Sequence, residues 1–165
     1  MNRGGRGLPD LGPRGEGWVL GQVVILVLLV AVSLPRLRDL VPASGIGWAA
    51  VVIGAATMAA GGVTVIAAVR QLGTNVTPFP RPGDTAVLIE RGIYAVIRHP
   101  IYAGIVLGSF GWSLVARSWP AAALSALLAI YFDLKSRRED AWLDERYTAH
   151  AAYRERTRRF IPGLY

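Results

Sequence analysis

At 165 residues the chain is long enough for one domain or a small membrane bundle. Hydrophobic residues make up 53% of it and charged residues only 18%, against about a quarter charged in a typical soluble domain. There is no cysteine and there are two histidines, His99 and His150. That excludes disulfides, thiolate metal sites and a cysteine nucleophile, and it argues against a polyhistidine metal site.

The elements follow in chain order. Residues 1–16 are rich in Gly, Pro and Arg, which predicts a disordered basic tail. Trp18 to Pro35 carries no charge and has the length needed to cross a bilayer as a helix. It exceeds the core of a cleaved signal and no small-x-small site follows it, so a retained anchor is expected. Gly45 to Val69 is a second uncharged run, long enough to span with some tilt. Pro100 to Ala116 is a third and shorter one. Pro120 to Phe132 is the fourth, which Trp119 and the residues after Phe132 would extend. Arg117, Ser118 and Trp119 alone separate the last two, predicting a tight helical hairpin. The fold class expected is all-α integral membrane, with about four transmembrane helices and a helix pair over residues 17–69.

Charge sets the orientation. Lys and Arg number three in the tail, two between the first and second runs, four between the second and third, one at the hairpin tip and eight after the fourth. With both termini on one side, 15 of the 18 lie there. The positive-inside bias then predicts a multi-pass protein of the cell (inner) membrane with both termini cytoplasmic. The net charge of +7 is thereby explained without nucleic acid, for which no base-reading or stacking module is present.

Polar specificity gathers in two cytoplasmic segments. Pro78, Pro80, Pro82 and Gly83 preclude a helix, so Thr74 to Asp84 reads as a shaped loop. It is either a connector or, being long, a functional loop. Arg98-His99-Pro100-x-Tyr102-x-Gly104 opens the third run, with proline suited to a first helical turn. Arg98 and His99 would then sit at the positive end of a helix dipole, where an anion binds well. Gly104 and Gly108 would admit a neighbouring helix or a ligand. The alternative is an interfacial anchor, with Arg98 snorkelling and Tyr102 at headgroup depth. In the second segment Glu139, Leu143 and Tyr147 share a helix face by their i, i+4, i+8 spacing. Asp133, Arg137, Asp140 and Asp144 form a neighbouring stripe that also fits a solvated, ion-paired surface. Trp142, Tyr153 and Phe160 fit a membrane surface, and His150 is expected to be exposed and without a role.

GIYAVIRHPIYAG, the apolar hairpin, REDAWL, Tyr147, Tyr153 and RRFIP together resemble the isoprenylcysteine carboxyl methyltransferase family, which groups with membrane phospholipid methyltransferases. The resemblance runs from about Leu72 to the C-terminus. It implies that residues 70–165 form a methyltransferase core binding S-adenosylmethionine on the cytoplasmic side, without a metal. By position it implies cofactor contacts from Arg98, His99, Pro100, Tyr102, Gly104, Glu139, Asp140 and Leu143. Asp140 departs from the family's usual Glu by one methylene. Asn75, Tyr147, Tyr153 and Arg156 fall to the acceptor, a lipid-like or prenylated small molecule entering from the lipid bilayer. Arg156 would orient a carboxylate, whereas Glu139 or Asp140 would deprotonate an amine, and Arg156 and Glu139 are the candidate catalytic residues. Two other readings stand beside this one: an NADPH-dependent membrane reductase of the sterol-reductase type, whose similar block resembles this one, and a non-catalytic four-helix membrane protein. The absence of an ionisable group within the apolar runs counts against a transporter.

Overall fold

The structure, a computed structural model, describes residues 7–39, 41–42, 44–83 and 86–165. Arg3, Arg6 and Asp84 lie outside the described residues. Four long helices form α1 (Glu16–Ser33), α2 (Gly45–Leu72), α3 (Pro100–Val115) and α4 (Trp119–Arg146), followed by a short α5 (His150–Arg156). Among the described residues the only extended pairing is an isolated parallel bridge between Ile97 and Arg158.

Local sequence explains the boundaries. Ser44 caps α2 by accepting from the Gly47 N–H at 3.2 Å, and Ser118 caps α4 by accepting from Ala121 at 3.3 Å, which satisfies amides left unpaired in a first turn. Pro100 opens α3 and Pro120 lies in the first turn of α4, where a missing N–H costs nothing. Ala116, Arg117 and Ser118 turn the chain between α3 and α4, with Arg117 at a positive φ of 49°.

α1 and α2 are long and apolar enough to cross a membrane. Leu20, Val23 and Val27 on α1 and Ile46, Val52 and Val63 on α2 are exposed. A core helix of a soluble protein would bury such side chains, so their natural surroundings are acyl chains. α3, at 16 residues, reaches about 24 Å at 1.5 Å per residue, less than the roughly 30 Å of a hydrocarbon core. α4 is apolar in its first half and charged from Asp133 onward.

Packing is closest between α2 and α3. A Cβ on Gly61 would lie 2.5 Å from the Gly104 carbonyl oxygen, and one on Gly54 would lie 2.6 Å from that of Gly111. Two glycine pairs, seven residues apart on each helix, therefore bring backbone against backbone. Hydroxyls and an indole tie the other helices. Trp112 donates to Ser33 at 3.1 Å, joining α3 to α1, and Ser113 and Ser125 lie 3.0 Å apart between α3 and α4.

The tail, expected to be disordered, is placed from Gly7 onward. Pro9 accepts from the Trp18 indole at 3.1 Å, Asp10 pairs with Arg138, and Pro13 accepts from Arg81 at 2.9 Å. The Arg14 guanidinium sits 4.4 Å from the centre of the Phe79 ring. Composition describes residues 7–15 alone, whereas these contacts come from α1, from α4 and from the loop after α2.

Candidate active site

A cleft enclosing about 190 Å³ lies between the start of α3, the charged half of α4 and the loop that leaves α2. Each element reaches it for a local reason. The prolines hold residues 76–83 out of helix, so Asn75, Thr77 and Phe79 face the cleft. Asn75 closes this loop on itself, donating to the Val87 carbonyl at 3.2 Å and accepting from the Val87 N–H at 3.3 Å.

The entrance to α3 is clamped by the C-terminal segment. Arg98 N–H donates to the Arg158 carbonyl at 2.8 Å, His99 N–H to that of Arg159 at 3.1 Å, and Arg158 N–H to that of Val96 at 3.0 Å. The Arg98 guanidinium adds bonds to the carbonyls of Thr157 at 2.8 Å and Arg154 at 3.1 Å. Arg98 lines the cleft, and its Nη1 is spent on this clamp. Its Nε is buried without a hydrogen bond, and burial lowers its pKa.

His99 and Tyr102 meet α4 directly. Their rings stack at 5.5 Å. Tyr102 donates to Glu139 Oε2 at 2.7 Å, His99 Nδ1 is 3.7 Å from the same oxygen, and His99 Nε2 is 3.0 Å from Asp140 Oδ1. Burial pushes the Glu139 carboxyl up, against the pull of His99, Tyr102 and Lys135. Burial would also raise Asp140, yet His99, Arg98 and Arg159 outweigh it and hold that carboxyl well below the usual range. Two adjacent carboxylates thus have opposite electrostatic characters.

Most of the expected residues are brought together. Asn75, Arg98, His99, Pro100, Tyr102, Glu139, Leu143, Tyr147 and Tyr153 all line the cleft. The two later tyrosines donate their hydroxyl protons to backbone carbonyls, Tyr147 to Ala86 at 2.5 Å and Tyr153 to Tyr94 at 2.7 Å, so neither has a proton free for a ligand. Asp140 stands behind His99, 2% exposed, and is not part of the lining. Gly104 is turned to α2, where a Cβ would meet Gly61. The structure does not bring Arg156 to the cleft: it pairs with Glu90 at 2.7 Å and its side chain is 65% exposed.

His150 corrects the sequence reading. It is fully buried, 2.7 Å from Asp144 through Nδ1 and 3.7 Å from Asp140 through Nε2, and it lines the cleft. Its alanine-rich neighbourhood gave no sign of this, because the burial comes from α5 folding back on α4. Lys135 and Gln22 line the cleft as well. Lys135 had a signal, being the one lysine among eighteen basic residues and four residues before Glu139. Among the described residues no group of three or more His, Asp or Glu side chains is arranged to hold a metal ion.

One curated relative is a cobalt-zinc-cadmium resistance protein, CzcN, of Cupriavidus metallidurans, 33% identical over 78 residues. The match takes in 47% of this chain and spans 36% of that relative's length. A sequence profile describing phospholipid methyltransferases matches residues 49–150, which takes in most of α2, the cleft loop, α3, the whole of α4 and the first residue of α5. Matched over more than half its length, and with its two apolar helices, the chain is a membrane protein that belongs to the phospholipid methyltransferase family.

Proposed function

We propose that the protein is a membrane methyltransferase that uses S-adenosylmethionine and acts on a lipid-like or amphipathic acceptor. In this reading α3 and α4 join α1 and α2 as four crossings of the cell membrane, with both termini and the cleft on the cytoplasmic side. Residues 70–165 supply most of the core, and α1 contributes Gln22. The observation that carries the reading is the meeting of the first turn of α3 with the charged half of α4 across one cleft, Glu139 bonded to Tyr102 between them.

The lining suits the donor's chemistry. Glu139 offers a carboxylate to an ammonium or to ribose hydroxyls, and His99 at the start of α3 offers a donor to a carboxylate. Phe79, Ile89 and Leu143 offer apolar walls to a base. When bound, S-adenosylmethionine supplies an electrophilic methyl group, which bonds to the acceptor's lone pair as the carbon–sulfur bond leaves its electrons on sulfur. The protein's share is then alignment and exclusion of water. Tyr102 fixes Glu139, Asp140 fixes His99, and the C-terminal clamp fixes the turn carrying both Arg98 and His99. Asn75 and the rings of Tyr147 and Tyr153 shape the loop side.

The test is calorimetry on the full chain in nonionic detergent with S-adenosylhomocysteine, and with NADPH as control. S-adenosylhomocysteine should bind, and Glu139→Gln should weaken it at least tenfold. NADPH binding with no S-adenosylhomocysteine binding would overturn the reading.

A further inference from the structure

The cleft contains a cation that the proposed donor does not use. Lys135 is 1% exposed, yet its side chain lines the cleft. Its Nζ donates to Gln22 Oε1 at 2.5 Å and sits 5.1 Å from the Tyr102 ring centre and 5.9 Å from that of Phe132. Among the described residues no carboxylate oxygen comes within 4.0 Å of it. A buried ammonium whose direct contacts are a neutral amide and two aromatic faces, with the Glu139 carboxylate acting on it only from beyond 4.0 Å, is costly to maintain unless an anion joins it.

Its position and identity are both informative. Lys135 is one turn nearer the apolar half of α4 than Glu139, and its partner Gln22 lies near the start of α1. Ile101 and Ile105 line the cleft beside Tyr102. This end of the cleft therefore combines one positive charge, one amide and an aliphatic wall. The rest of the chain uses arginine for its basic side chains, and the fork of arginine suits phosphate, while lysine is a compact point charge. A single lysine beside an amide complements a single carboxylate.

We propose that Lys135, held by Gln22, forms the acceptor subsite and selects an amphiphile with a carboxylate headgroup over one with an ammonium. This rests on the methyltransferase reading and gives the charge-pairing role expected of Arg156 to a residue inside the cleft. A carboxylate needs no base, because methylation of its oxygen yields a neutral ester and releases no proton. An ammonium acceptor would meet Lys135 as a like charge and would first have to lose a proton. Burial pulls Lys135 down to about 8, with Glu139 opposing, so it remains mainly cationic at neutral pH. The ionisable groups against it are Glu139 on its own helix and Tyr102 on α3, while α1 presents the neutral amide of Gln22.

The experiment is calorimetry on the full chain in nonionic detergent with octanoate, octylamine and octyl phosphate as probes. Octanoate should bind most tightly. Lys135→Met should weaken octanoate at least tenfold, since a charge-assisted hydrogen bond is lost. In the parent protein octanoate affinity should fall severalfold as pH rises from about 8 to about 9, as Lys135 loses its charge, and this arm needs no variant. Octylamine or octyl phosphate binding more tightly than octanoate, or octanoate affinity that ignores both pH and Lys135→Met, would overturn the proposal. Failure of S-adenosylhomocysteine to bind would instead overturn the methyltransferase reading, and the two results are read independently.

Discussion

Gly61→Ala tests the close approach of α2 and α3. The added methyl would lie 2.5 Å from the Gly104 carbonyl oxygen and 2.7 Å from the Gly108 nitrogen, where ordinary contact begins near 3.4 Å. Both neighbours are backbone, so no rotamer change relieves the clash. The helices must part by about 0.9 Å, a gap that forfeits a quarter to a half of each pairwise attraction along that stretch. Overpacking of this kind costs about 1–3 kcal/mol, and replacing a helical glycine by alanine returns roughly 1 kcal/mol. The net expectation is about 0–2 kcal/mol of lost stability. Gly62 is the internal control, since a Cβ there meets nothing within 4 Å, so Gly62→Ala should gain about 0.5–1 kcal/mol from backbone entropy alone. Thermal unfolding in one detergent at fixed protein concentration should place Gly61→Ala below the parent and Gly62→Ala at or above it. Gly61→Ala combined with Gly104→Ala should cost less than the two added, because helices already parted accept the second methyl more easily. If Gly61→Ala melts with Gly62→Ala, the interface is not as tight as described.

Two further expectations concern the residues around the cleft. Asp140→Asn should destabilise the protein by about 3–5 kcal/mol, because His99, Arg98 and Arg159 lose their shared carboxylate in a buried place. Asp140 is held below its ordinary value of 3.8, so its contribution is complete above that pH and is lost as acid carries the protein down through the folded value. Unfolding temperatures in acid should therefore fall more steeply for the parent than for Asp140→Asn, and parallel curves would remove Asp140 as the anchor. Gly15 has a φ of +80°, and a Cβ on it would lie 2.6 Å from Pro80 and 3.2 Å from Trp142. Gly15→Ala should free residues 7–15 from the cleft loop, seen as faster proteolytic cleavage in that stretch, and unchanged cleavage would count against the contact.

The helices, and acyl chains as the surroundings of two of them, are legible in the sequence. Uncharged runs of that length have no way to satisfy their backbone in a bilayer except as helices. The boundaries follow from Ser44, Ser118, Pro100 and Pro120, whose effects reach only a turn or so. The shared face of Glu139, Leu143 and Tyr147 was equally legible, since helical spacing fixes it before any packing. Which polar groups face one another came instead from long-range packing. Gly104 turned to Gly61, Arg156 to Glu90 and Arg98 to the carbonyls of the C-terminal segment. His150 and Lys135 came into the cleft through α5 folding on α4 and through Gln22 on α1. Burial and charge pairing at these positions depend on partners up to 113 residues away in the chain. Local pattern has no access to such distances, because a residue's propensity reports only its near neighbours, while its pKa and its availability to a ligand are set by whatever the fold places beside it.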